Sequence, residues 1–158
     1  MAHKRKKWTV GDLFKVPLND GTASLGHIVG QERSMMNSVT CAFYAIKVSD
    51  NCPPDSPPSP TDDALIACVF TTHDLISRGF WPIIGQLSPQ LPRKYFPYED
   101  CREKGWVGAT MQGSGNMREF VNAFYGLAPW NGYFDPNYFD KLLIDPSKRP
   151  KNLLFIKK

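Results

Sequence analysis

The chain has 158 residues, 42% of them hydrophobic and 22% charged. That is long enough for one domain burying roughly 68–70% of its unfolded surface, and too apolar for a chain disordered throughout. Its longest apolar runs, such as 64–70 and 152–158, fall well short of the ~20 residues that span a bilayer.

The formal charge of +4 is unevenly distributed. Four of the 19 basic residues lie at positions 4–7 and five more at 148–158. Ten basic residues then remain in the body against all 15 acidic ones, an excess of five negative charges. An acidic body with basic ends is unlike a uniformly basic nucleic-acid binder, so nucleic acid is not the expected partner. The opening "MAHKRKKW" has a charged head and no apolar run behind it, unlike a secretory signal. The expectation is a cytoplasmic protein, with residues 1–7 a basic disordered tail and residues 8–158 a single globular domain. Cys41, Cys52, Cys68 and Cys101 are widely spaced, which points to free thiols in that compartment. No paired ligands at short spacing suggest a zinc site, and no cofactor is expected.

In chain order, 11–30 reads as a β-hairpin. Leu13 to Leu18 is strand-like, "NDG" supplies residues that tolerate positive φ, and Leu25 to Val29 returns. Pro17 marks an edge or a bulge. Residues 38–48, rich in β-branched and aromatic side chains, predict a third strand. The proline-rich 49–63 predicts an exposed loop. "ALIACVFTT" (64–72) has the length and unbroken apolarity of a strand buried on both faces. A short helical turn follows, capped by Thr72 and stopped at Gly79. Residues 80–85 and 105–112 predict two further strands.

The period then changes. Met117, Phe120, Val121 and Phe124 fall at i, i+3, i+4 and i+7, with Arg118, Glu119 and Asn122 facing away. Asn116 as N-cap with Glu119 three residues on makes a capping box, and Gly126 ends the helix. A second helix is predicted over 135–144, with Asp135 as N-cap and Pro136 at its first position. A final strand is predicted at 152–156. The fold class is α+β: a small antiparallel sheet or partly closed barrel with two C-terminal helices packed on it.

Signs of chemistry are sparse. His73-Asp74 is the best dyad, but an acid at a helical turn's start is most simply explained by the favourable N-terminal field. "GSGN" (113–116) before a helix suggests a phosphate cradle; the Lys-Ser/Thr of a P-loop is missing, and no G-x-G-x-x-G is present. No catalytic residue is assigned, and the chain is not expected to be an enzyme.

"GLAPWNGYFDPNYF" (126–139) holds five aromatic rings and no lysine or arginine. Two readings stand. Large rings can seal the sharp turn between two helices, and Trp and Tyr also concentrate in binding hot spots. Trp130 and Tyr133 are the candidate partner-binding residues, with Trp130 read chiefly as the seal and Tyr133 as nearer the surface.

Several stretches together resemble one family. "GDLFKVPLNDG", "SLGHIVG", "MNSVTCAFYAIK" and above all "GSGNMREFVNAFYGLAPWNGYFDPNYFDKLLIDPSKRPKNLLF" (113–155) are similar to the immunity protein 26 family. The resemblance implies a small bacterial cytoplasmic protein of a polymorphic toxin system, which binds and neutralises the toxin encoded beside it. It carries over no catalytic residues. The lysine-rich start and the "CPPDSPPSP" segment depart from the family pattern. The alternative is a nucleic-acid-associated regulator or phage-type accessory protein that uses the basic N-terminal tail.

Overall fold

The structure, a computed structural model, describes residues 7–49 and 58–157. The expected tail at 1–7, apart from Lys7, lies outside the described residues, as do Cys52 and most of the proline-rich segment.

Five antiparallel strands form one open sheet in the order β4-β3-β2-β1-β5. They are β1 (Asp12–Pro17), β2 (Ala23–Glu32), β3 (Ser38–Val48), β4 (Leu65–Thr71) and β5 (Ile83–Gln86). The first four make a meander, because each connection leads to an immediate neighbour. β5 then returns beside β1. Of the two architectures allowed by the sequence, the open sheet is the one formed: β4 and β5 are its outer strands and do not pair.

Period-2 alternation sends side chains to opposite faces, and here both faces are covered. Phe14, Val16, Ile28, Cys41 and Phe43 join one buried cluster with Leu75, Met117, Phe120, Trp130 and Phe139. Leu13, Leu25, Val29, Ala42, Tyr44 and Cys68 form a second, packed under Leu91, Tyr95, Phe96 and Ile144. Double burial is why the strands read as apolar runs rather than as alternating ones.

Phe14 organises the first cluster. Its ring stacks on Trp81 at 5.3 Å with an interplanar angle of 1°, and Phe43 meets both edge-on. Phe14 pairs across the ladder with Gly26, whose missing side chain leaves the space that the ring fills.

Three helices pack on that face: α1 (Asp74–Ser77), α2 (Ser114–Phe124) and α3 (Tyr138–Leu142). Gly79 at φ 80° closes α1 and Gly126 at φ 76° closes α2, the conformation that glycine adopts without a steric cost. None of the described helices is long and apolar enough to cross a membrane.

Several expectations need correction. Residues 105–112 are not a strand: Gly105, Trp106 and Gly108 all have positive φ, which turns the chain repeatedly, and only Gln112 bridges, in parallel, to Thr71. Trp106 is held in this conformation by Phe70, edge-on at 5.2 Å, and by an Nε1–H bond to Ser34 Oγ. The predicted last strand contributes a single bridge, Pro129 to Leu154. α2 begins at Ser114 with Gly113 as its cap residue, so Asn116 lies inside the helix and is no cap. Thr72 does not cap α1, whose cap residue is His73, with no side-chain capping bond to the helix main chain; the Thr72 Oγ1 instead accepts the first main-chain N–H of α2, from Ser114 at 2.9 Å. α3 is shorter than predicted. Asp135 stays outside it, accepting the Asn137 N–H in a local turn.

Asn122 also departs from expectation. Read as facing solvent, it is fully buried. Its Oδ1 accepts the Asn19 N–H at 2.7 Å and its Nδ2 donates to Arg118 O. The β1–β2 turn is thereby fastened to α2.

Candidate partner-binding surface

The chain leaves α2 at Gly126 and runs to α3 through an aromatic corner. Trp130 N–H donates to Leu154 O at 2.7 Å, which fastens the C-terminal segment along the linker. Asn131 adds two more bonds, accepting the Ile156 N–H and donating to Ile156 O. The Trp130 ring is 1% exposed. It sits 5.8 Å from Phe120 and 5.5 Å from Phe139, between the apolar stripes of α2 and α3. Its indole N–H is not wasted in this apolar setting: it donates to Asp140 Oδ1 at 3.0 Å, and Arg149 Nε approaches the same oxygen at 3.3 Å.

Tyr133 is half-buried. Its ring lies 5.0 Å from both Tyr138 and Phe139, and its hydroxyl donates to Asn116 Oδ1 at 3.1 Å. Burial, then the nearby Glu119, raises its hydroxyl above the ordinary tyrosine value. Phe139 is thus the common neighbour that brings Trp130 and Tyr133 into one cluster.

The next residue, Phe134, does the opposite: its side chain is fully exposed. Leu154, Phe155 and Ile156 are each about half exposed, and Ile156 Cδ1 lies 3.7 Å from where a Cβ on Gly132 would stand. The corner therefore has a buried inner side, built on Trp130, and an apolar outer side. Arg149 lies over Phe155 at 5.7 Å, and exposed Lys151 and Lys157 flank it. The sequence signalled the corner by its density of rings, but not which ring would face outward.

A groove of about 520 Å³ opens beside this corner. β4 supplies its floor at Cys68 and Val69. Lys94 to Tyr98 form one wall, and Tyr138 with Lys141 to Ile144 form the other. No stretch of the sequence signals it, because its walls come from segments far apart in the chain.

The other candidate chemistry is engaged locally. His73 Nδ1 pairs with Ser77 Oγ at 2.8 Å within one turn, while Asp74 Oδ1 accepts from Ser114 Oγ at 3.1 Å. Imidazole and carboxylate thus have different partners. Burial alone would raise the Asp74 carboxyl, yet hydrogen bonds led by Thr72 hold it below its ordinary value. The start of α2 within "GSGN", where a phosphate would sit, is thereby met by the chain's own Thr72 and Asp74. Cys41, Cys68 and Cys101 are free thiols, and burial raises Cys41 and pushes Cys68 up to about 12. Among the described residues no group of three or more His, Cys, Asp or Glu is placed to hold a metal ion.

The structure is thus an open α+β sheet carrying an apolar corner and an adjoining groove. Residues 9–107 match the family model described as Immunity protein 26, and the chain belongs to that family. The match covers the five strands and the turns after them. It ends before α2, so the stretch 113–155, where the resemblance is densest to the eye, lies beyond it. No curated protein and no solved structure matches the chain.

Proposed function

We propose that this protein binds a cognate polymorphic toxin and neutralises it through a direct, non-covalent complex, in the cytoplasm of the bacterium that makes both. Membership of the immunity protein 26 family carries the reading. The outward side of the aromatic corner supports it. A fully exposed Phe134 beside half-exposed Leu154, Phe155 and Ile156 is the kind of apolar surface that marks protein contacts. Tyr133 borders this surface and touches the partner, while Trp130 acts from beneath, holding the linker and the C-terminal segment in register. Neutralisation is stoichiometric and leaves the toxin chemically unchanged, which fits a His73 and an Asp74 each occupied by a neighbouring serine.

The test is co-purification with the toxin domain encoded beside this chain's gene. The mixed proteins should elute as one peak and the toxin should lose its activity in that peak. Toxin recovered after denaturing separation and refolding should be active again. Recovery of a covalently altered, inactive toxin would overturn the reading.

A further inference from the structure

β4 is an outer strand of the sheet, and among the described residues its free edge is closed at two points only. At one end Gln112 N–H donates to Phe70 O at 2.7 Å and Thr72 N–H to Gln112 O at 3.0 Å. At the other, Ile144 N–H donates to Ile66 O at 2.8 Å. Main-chain groups alternate in direction along an antiparallel strand. Since Phe70 O and Thr72 N–H point away from β3, so do the N–H and C=O of Cys68. No described residue bonds either group. Ile66 and Phe70 are four residues apart, so the gap between the two closures is about 13 Å long. It opens into the groove of about 520 Å³.

The walls of the groove are matched to a peptide. Tyr95, Phe96, Tyr98 and Tyr138 line it with rings, which accept side chains on either side of an extended backbone. Two lysines stand at its rim. Lys141 is paired with Asp135 at 2.6 Å. Lys94 lies over the Tyr95 ring at 5.0 Å and has no carboxylate partner among the described residues.

We propose that the gap in the β4 edge receives a short extended segment of the toxin, which pairs with the N–H and C=O of Cys68 and places an acidic side chain beside Lys94. Addition of a strand to a sheet edge obtains affinity from main-chain bonds and specificity from flanking pockets. Here the two closures limit the added segment to about three residues. A loop tip or hairpin end fits that limit; a long strand does not. The proposal rests on the reading of the chain as a toxin binder, and it names where and how the toxin is held.

Residue-resolved amide exchange on the full chain, with and without the neighbouring toxin domain, tests it. The Val69 amide, in the hydrogen-bonded pair with Cys41, is the internal reference and should be protected in both states. The Cys68 amide should exchange faster than Val69 in the free protein and slow by at least about tenfold in the complex. Lys94→Glu and Thr110→Trp, both at exposed positions on the groove, should each weaken toxin binding about tenfold or more while melting like the parent. Tight binding with unchanged Cys68 exchange and parental affinity in both variants would overturn the edge site and leave toxin binding intact. Failure of the parent chain to bind the toxin domain would overturn both.

Discussion

The ring of Phe14 occupies the place where a side chain on Gly26 would begin: an added Cβ would lie 2.3 Å from Phe14 Cε2 and Cζ. The two residues are cross-strand partners in β1 and β2, and Phe14 is fixed in turn by its stack on Trp81. The ring cannot move aside without breaking that stack. Gly26→Ala should therefore destabilise the fold by about 1–3 kcal/mol through overpacking, lowering the melting temperature by several degrees. Gly115→Ala, where an added Cβ meets nothing within 4 Å, is the matched control and should melt no lower than the parent.

Trp130 and Phe134, four residues apart, should separate stability from binding. Trp130→Ala removes a ring packed between Phe120 and Phe139 and should cost about 3–5 kcal/mol. Phe134→Ala removes a fully exposed ring, so thermal unfolding should be unchanged while toxin affinity falls by about 2 kcal/mol, as for a hot spot. Tyr133→Ala should lie between them. Calorimetric unfolding paired with a binding titration reads all three, and parental affinity in Phe134→Ala would remove the corner's outer side from the interface.

Asn122 gives a third expectation. Its buried amide bonds Asn19 N–H and Arg118 O, and Asn19 Nδ2 reaches Leu127 O. Asn122→Leu keeps the bulk and deletes both bonds, leaving the Asn19 N–H without its partner. Loss of about 1–3 kcal/mol is expected, measured by urea unfolding. Amide exchange should quicken first in the β1–β2 turn.

That residue also shows where sequence reading stops. β1 to β4 were legible because each is a run of apolar or β-branched residues bounded by turn signals, and α2 because Met117, Phe120 and Val121 recur at helical spacing. Asn122 fits the polar side of the same helix. Only the arrival of the β1–β2 turn from about a hundred positions earlier makes it an interior residue. Likewise "GWVGATMQ" has a strand's composition, but Phe70 and Ser34 hold Trp106 in a left-handed conformation no local pattern encodes. The inner side of the aromatic corner followed from ring density. The groove beside β4 depends on strand order and on two distant segments meeting one edge, and no single stretch records that.

His27 should give the fold an acid-side weakness. It is buried in β2, and its Nε2–H donates to Leu87 O at 2.8 Å. Burial lowers its pKa from the ordinary 6.5, outweighing the opposing main-chain bonds and the charge of Asp12. The unfolded chain therefore binds this proton more readily than the folded one. The stabilisation is complete above about pH 6.5 and is lost as pH falls from there through the folded value. His27→Gln should flatten the stability curve over that window, in urea unfolding from pH 7.5 to 5.5. The lowered carboxyls of Asp20, Glu99 and Asp135 act at lower pH.

The closure of β4 by Gln112 and Ile144 has a temporal meaning during synthesis. The ribosome makes the edge strand well before it makes either residue that covers it. At about 5–20 residues per second, roughly 4–15 s separate completion of β4 from the appearance of Ile144. Through that interval the nascent chain displays a hydrogen-bonding edge of β-branched and aromatic residues, the form most prone to pairing with a neighbour. Chains ended at residue 109, which lack both covers, should pass into pelletable aggregates at concentrations where the complete chain stays dispersed. The C-terminal third thus acts on the sheet as a guard that arrives late, and the dangerous species in production of this protein is the unfinished chain.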